Sequence, residues 1–432
     1  MIRNWVSPRL LPGAAAAVVL LLLYYFGHSS FDLFEYDRSQ GHAESSAPVS
    51  HSSLHLGHRP AQTSKKASSA FSDRPKPHDL PKVMGLVFFG RRQTVSILDC
   101  YLKRNLVKNG GWLDGVIWLK HTADATDLAF LDKVVESEAD YVAQDVQNLD
   151  QDGYSNAYDE IKDDILYVKI DDDIIYIEDT AIASIVETKH TRPEFFLVSA
   201  NVVNHPLLSW VHTNLGAVRP YLPELDREYP TAEDGNGTDW RPSHLPAWGG
   251  NFKDPKIENN WNTAHQKKHR WLPVTSPSSD GSDPLDKTPI SQIQYDPWGV
   301  SWFMWQIGAQ QHYSLHEHLE KNELQQYRFR TWDFQFKRAS IQFIAMMGRD
   351  INAVKPIQGV DEQYFTVDMP KKLGRHAVAD GGGVVAHFSY VTQVNPAENG
   401  GMKSTDILDR YRSYAQENIC TGPMLWTPEE GE

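Results

Sequence analysis

Positive charge is scarce in this chain of 432 residues: 42 lysines and arginines face 56 aspartates and glutamates, a formal net charge of −14. A surface of that sign argues against nucleic acid or an anionic membrane surface as a main partner. No basic run interleaved with aromatics offsets it. Cysteine is scarcer still, with Cys100 and Cys420 alone. A scaffold of several disulfides is therefore excluded, and two states stay open for the pair. They can bridge the first helix to the C-terminal tail in an oxidising compartment. Alternatively, Cys100 stays a buried free thiol on the apolar side of its helix.

Other motifs lack one member. His312 and His316 stand one helical turn apart, but no third ligand or neighbouring glutamate completes a zinc site, so they read as a helix surface. Asn148, Asp150, Asp152, Gly153 and Asp159 follow the spacing of a calcium loop. Its last position is aspartate rather than glutamate, and the segment before it reads as extended. Gly153 is expected instead to turn the chain into a helix, YSNAYDEIKDD. His51, His55 and His58 lie in a solvated linker.

What is present begins with an uncharged run, Leu10 to Phe26, preceded by Arg3 and Arg9 and followed by Asp32, Glu35 and Asp37. Its length suits a membrane span, and Tyr24 and Tyr25 sit where an interfacial belt belongs. The charge asymmetry predicts a cytoplasmic tail over 1–9, a signal anchor over 10–27 and everything later across the membrane. A cleaved signal peptide is the competing reading, but no small-x-small site follows closely. Residues 28–80 are rich in Ser, His, Ala and Pro without apolar period and read as a disordered stem.

From residue 81 strands alternate with helices: VMGLVFFG, TVSILDCYLKRNLV, DGVIWLK, TDLAFLDKVVES, DYVAQDV. This predicts α/β architecture, with a mostly parallel mixed sheet flanked by helices, over 81–410. Residues 411–432 read as a tail. Gly90, Arg91 and Arg92 follow the first strand, where guanidinium groups suit an anionic ligand. The centre of the chain is Ile165–Asp179. An apolar, β-branched run, ILYVKI, stops at Asp171, Asp172 and Asp173. Extended backbone would put Asp171 and Asp173 on one face and Asp172 on the other. Paired carboxylates at the carboxyl end of a strand suit a divalent cation, Mn²⁺ or Mg²⁺, shared with a diphosphate. The alternative is a solvated acidic turn with Asp179 capping the next helix.

Residues 220–298 are rich in Pro, Gly, Asp and Trp and read as a lid or inserted loop. Within them Trp248, Gly249 and Gly250 offer a hinge and sugar platform, and Asn236-Gly-Thr238 is a glycosylation acceptor if lumenal. RASIQFIAMMG is expected to be a core helix. Asp361 and Glu362 open an apolar segment, and VVAHFSY, after a glycine run, is a short strand holding His387.

An anchor, a stem, a D-x-D after an apolar strand, a late acidic pair and a later histidine together resemble the metal-dependent glycosyltransferases of the GT-A fold, closest to type II Golgi membrane transferases of fungi. The resemblance covers about Lys82 to Tyr390. It implies Asp171, Asp173 and His387 as metal ligands and Asp361 or Glu362 as the base of an inverting reaction. Arg91, Arg92 or Lys169, with Gly90 and Asp172, would hold the donor. Trp248-Gly-Gly250 would match the glycine loop at lid or acceptor. It further implies a nucleotide-diphosphate sugar as donor, a glycan, glycoprotein or glycolipid acceptor, and a lumenal catalytic domain. Inversion and retention both stay open. A metal phosphohydrolase is the alternative, although Ile175 stands where the threonine of D-x-D-x-T would be. A non-catalytic carbohydrate-binding relative is the other.

Overall fold

The structure is a computed structural model that describes residues 74–146, 154–225, 238–254, 257, 261, 268–275, 281–293, 298–394 and 401–428. All of these belong to one unit, Lys65–Glu432. The expected anchor, most of the stem, Asn236 and the calcium-like loop up to Gly153 lie outside the described residues. Among the described residues no helix is long and apolar enough to cross a membrane.

The strands are β1 (Lys82–Phe89), β2 (Gly115–Lys120), β3 (Tyr141–Asp145), β4 (Ile165–Asp171), β5 (Ile174–Ile177), β6 (Leu197–Val203), β7 (Tyr221–Pro223), β8 (Trp271–Pro273), β9 (Trp332–Asp333), β10 (Phe343–Met347) and β11 (Ala377–His387). The main sheet runs β3-β2-β1-β4-β10-β6-β11-β5, with β9 against β11, and β7 pairs with β8 apart from it. β1, β2, β3, β4, β6 and β11 point one way, and β5, β9 and β10 the other. The sheet is thus mixed and mostly parallel, with helices over its faces. β1, β4 and β6 are almost wholly buried, as strands covered on both faces must be, which accounts for their mainly apolar sequences.

Several elements differ from the sequence reading. The segment expected to be a core helix, RASIQFIAMMG, forms β10, with all five residues buried. A short continuous apolar run has no period to separate strand from helix, and here sheet pairing on both sides decides it. The strand expected to begin after the glycine run starts before it, because β11 spans Ala377–His387 and carries the glycines as an irregularity between Ala379 and Val384. A Cβ on Gly381 would sit 2.1 Å from the Phe329 carbonyl oxygen, and one on Gly383 2.2 Å from Ala181 Cα. Only glycine allows those approaches. YSNAYDEIKDD forms one short 3₁₀ turn, Asn156–Tyr158, rather than a helix. Asp179 does not cap the helix Ala181–Thr191; its carboxylate accepts from Arg104 at 2.7 Å.

Cys100, in the helix Arg92–Arg104, is disulfide-bonded to Cys420, just beyond the helix Ile407–Asn418, with a Cα–Cα distance of 4.8 Å. That last helix crosses residue 410 and buries Tyr411 and Ala415. A folded-state disulfide is the kind kept in oxidising compartments.

His312 and His316 are wholly buried in the helix Trp305–Lys321, not on a helix surface. His312 hydrogen-bonds Tyr411 Oη and the Phe388 carbonyl, each at 2.9 Å. The His316 ring packs at a tilt against Tyr411 with ring centres 4.2 Å apart, and among the described residues neither of its nitrogens has a hydrogen-bond partner. Burial pushes His312 down to about 4, His205 and His212 down to about 3, and His316 well below its ordinary value. These imidazoles are neutral when folded and protonate near 6.5 when unfolded. The unfolded chain therefore binds more protons between those values, and stability falls as pH drops below about 6.5. Replacing His316 by Phe removes one such group and keeps a ring against Tyr411. Melting temperature measured from pH 7 to pH 5 should then fall less steeply than in wild type. An unchanged slope would contradict this account of His316.

Candidate active site

The topology gathers one edge of the sheet. β1, β4 and β11 end there, at Phe89, Asp171 and His387, while antiparallel β10 begins there and β5 starts opposite His387. The Asp171 N–H donates to the Gln342 carbonyl at 2.9 Å, which places the chain leading into β10 beside the aspartates.

Strand alternation stops at Asp171, and the triplet divides. Asp171 ion-pairs with Lys169, two residues back on the same face. Asp172 and Asp173 form the turn into β5, and both are buried. Asp172 accepts from the Gly90 N–H at 2.9 Å and from Arg91, whose guanidinium also lies 3.1 Å from Asp173. His387 Nε2 stands 3.2 Å from Asp173 Oδ2. The expectation that Asp171 and Asp173 pair against Asp172 gives way to a different division, because a turn, not extended backbone, carries the last two carboxylates.

Each carboxylate is matched by a cation. Burial alone would push Asp173 up, but the charges of His387 and Arg91 hold it well below the usual carboxylate range. Asp172 is pushed up to about 6 by burial, which Arg91 offsets only in part. Burial works against charge on His387 and Arg91 as well, and the aspartates overcome it, so both are raised. Lys169 behaves likewise beside Asp171 and Asp361.

Asp361 opens a short helix and is 4% exposed. Its carboxylate accepts from Tyr158 Oη at 3.2 Å and from the Glu362 N–H at 2.9 Å. Burial pushes it up, with Lys169 offsetting part. Glu362, also raised by burial, accepts from Arg338 at 2.8 Å. A carboxyl whose affinity for protons is raised by burial is suited to take a proton.

Lys169, Asp171, Asp172, Asp173, His387, Asp361, Glu362, Gly90 and Arg91 are thus brought to one edge. Arg92 is not: it pairs with Asp127 at 2.8 Å and lies over Trp426. Trp248, Gly249 and Gly250 line a separate cavity of about 440 Å³ with Glu224, Leu225 and Leu272. Arg338, Tyr158 and Tyr390 escaped sequence reasoning. Tyr390 stands 4.6 Å from the His387 ring and was flagged only by falling three residues after it; Arg338 carried no signal.

The donor set can be tested against a divalent cation. Asp173 Oδ1 is buried without a hydrogen-bond partner among the described residues, beside an imidazole. Carboxylate and imidazole suit Mn²⁺, and such ions commonly take their remaining ligands from water and substrate phosphate. Among the described residues no three acidic, His or Cys groups form a ready-made cage. The residues fit a partial, substrate-completed site, and an ion bound there would have to compete with Arg91.

Neither a protein-family model nor a curated protein sequence matches the chain. Among solved structures, one to which it is similar is CMP:2-keto-3-deoxy-manno-octonic acid synthetase complexed with CTP. The identity is 9%, over 71% of this chain and 90% of that one, with a TM-score of 0.28. A likeness of that size carries no argument about function.

Replacing Arg91 by Gln should raise the Mn²⁺ affinity of nucleotide-free protein, read from the free-ion signal in electron paramagnetic resonance, and Asp173→Asn should lower it. Arg91→Gln should also cost about 1–2 kcal/mol of stability without metal, a low figure for a broken pair because the guanidinium is 44% exposed. Unchanged Mn²⁺ affinity in Arg91→Gln would refute the competition.

Proposed function

We propose that the protein is a metal-dependent glycosyltransferase that moves a sugar from a nucleotide-diphosphate donor to a glycan-bearing acceptor in the lumen of the secretory pathway. One observation carries the reading: three charge-compensated aspartates, a buried histidine and a second carboxylate pair share the carboxyl edge of one α/β sheet. Ligands of open α/β sheets bind at that edge. The disulfide supports a lumenal setting, and the anchor expected at 10–27 supports a single-pass membrane protein of the Golgi type.

A divalent cation held by Asp173 and His387, with water and the diphosphate completing its ligands, would supply Lewis acidity toward the leaving group. The chain's own groups divide the remaining work. Arg91, 44% exposed, can turn from the aspartates to a phosphate and keep its charge compensated throughout. Lys169 holds Asp171 in place and stands close enough to Asp361 to influence its charge. Asp361, positioned by Tyr158, takes the acceptor hydroxyl proton if configuration inverts. Glu362, already engaged by Arg338, is the second choice.

The test is to incubate full-length, detergent-solubilised protein with Mn²⁺ and a panel of nucleotide sugars. Release of nucleoside diphosphate supports transfer. Phosphate released from monoesters instead supports a hydrolase, and no turnover supports a binding protein. Asp361→Asn should lower kcat by about 10²–10⁴-fold with donor binding nearly constant. Asp173→Ala should abolish turnover in a folded protein. Near-normal activity in Asp173→Ala would end the reading.

A further inference from the structure

Beside the acidic edge lies a set of rings with no part in the site described above. Trp302 and Phe303 end the short helix Val300–Phe303, and Phe303 is 55% exposed. The Trp302 ring meets Phe303 edge-on at 4.7 Å and Trp298 edge-on at 5.1 Å. The Trp302 carbonyl accepts from Thr392 Oγ1 at 2.5 Å, which fastens this helix to the segment after Tyr390. Val391, in that segment, is 90% exposed.

The rings connect to the site by two routes. Trp302 lies 6.4 Å from Tyr390, whose ring is 4.6 Å from that of His387. Trp298 lies under the Arg338 guanidinium at 4.4 Å, and Arg338 holds Glu362. An apolar shelf therefore starts at His387 and Glu362 and runs outward to Phe303 and Val391. Exposed apolar patches with polar borders mark binding surfaces.

We propose that this shelf is the acceptor subsite and that it takes a neutral oligosaccharide. The proposal rests on the glycosyl-transfer reading and supplies the acceptor side that it lacks. A pyranose has an apolar C–H face and a ring of hydroxyls at its edge. Ring faces suit the first, and Arg338, whose side chain is 35% exposed, suits the second. Acidic acceptors are disfavoured because the cationic groups nearby already serve Glu362 and the aspartates. The shelf also ends where a hydroxyl must arrive, beside the Asp361–Glu362 pair.

The experiment is saturation-transfer NMR and calorimetry on the full-length protein with maltotetraose, chitotetraose and mannotetraose. UDP and GDP with Mn²⁺ are titrated in parallel. Wild type should bind at least one tetrasaccharide. Phe303→Ala and Trp302→Ala should each weaken it on the order of tenfold, with nucleotide affinity unchanged. Phe303 is more than half exposed, so its variant should keep the wild-type melting temperature. Sugar binding that survives both substitutions overturns the shelf, as does a wild type that binds nucleoside diphosphate but none of the sugars. A wild type that binds no nucleoside diphosphate overturns the transfer reading instead, and its sugar titration still decides whether the shelf binds carbohydrate.

Discussion

Buried carboxylates must find opposite charge, and this constraint organises the edge of the sheet. Asp172 and Asp173 are each at most 5% exposed, which without partners would be prohibitive. Arg91 answers both from the start of the helix after β1, and His387 answers Asp173 from the end of β11. Residues about 80 positions before the turn and about 215 after it are thereby fixed to one point. The same groups hold the site together and give it a way to exchange partners. On the proposed glycosyl-transfer reading, the guanidinium that neutralises the aspartates in the free protein would neutralise phosphate once a cation takes its place.

The insertion of β10 explains how so many distant residues arrive together. A wholly parallel sheet would bring only strand exits to this edge. An antiparallel strand between β4 and β6 brings its entry instead, and with it Arg338, Ser340 and Gln342. Tyr390 ties the two arrangements together: its hydroxyl accepts from Gln342 at 2.6 Å, while its ring faces His387. Acid, imidazole and aromatic chemistry thus meet through one change of strand direction.

That change is also what the sequence concealed. The apolar run ending in three aspartates announces β4, because strand character and abrupt charge are both local. Regular alternation from residue 81 likewise makes the α/β class legible, and His387 and Asp361 carry recognisable chemistry. β10 carries no such mark: Phe343–Met347 is uniformly apolar, and only its two neighbours make it a strand. The pairing of Arg91 with Asp172 and Asp173, rather than with a ligand, depends on a turn geometry that strand periodicity misassigned. Arg92 looked equivalent to its neighbour, but a helix starts between them and sends it toward Asp127. Arg338 reaches Glu362 through tertiary structure alone. The buried histidines were misjudged because spacing along a helix does not tell which side another helix will cover.

The disulfide joins residues 320 positions apart, in the helix Arg92–Arg104 and just beyond the helix Ile407–Asn418. Nearly the whole folded chain, including the long segment at 220–298, is therefore a closed covalent loop. A single proteolytic cut anywhere inside that loop separates no fragment. The two pieces stay joined through the helix that follows Arg91, and the acidic edge keeps both of its halves on one molecule.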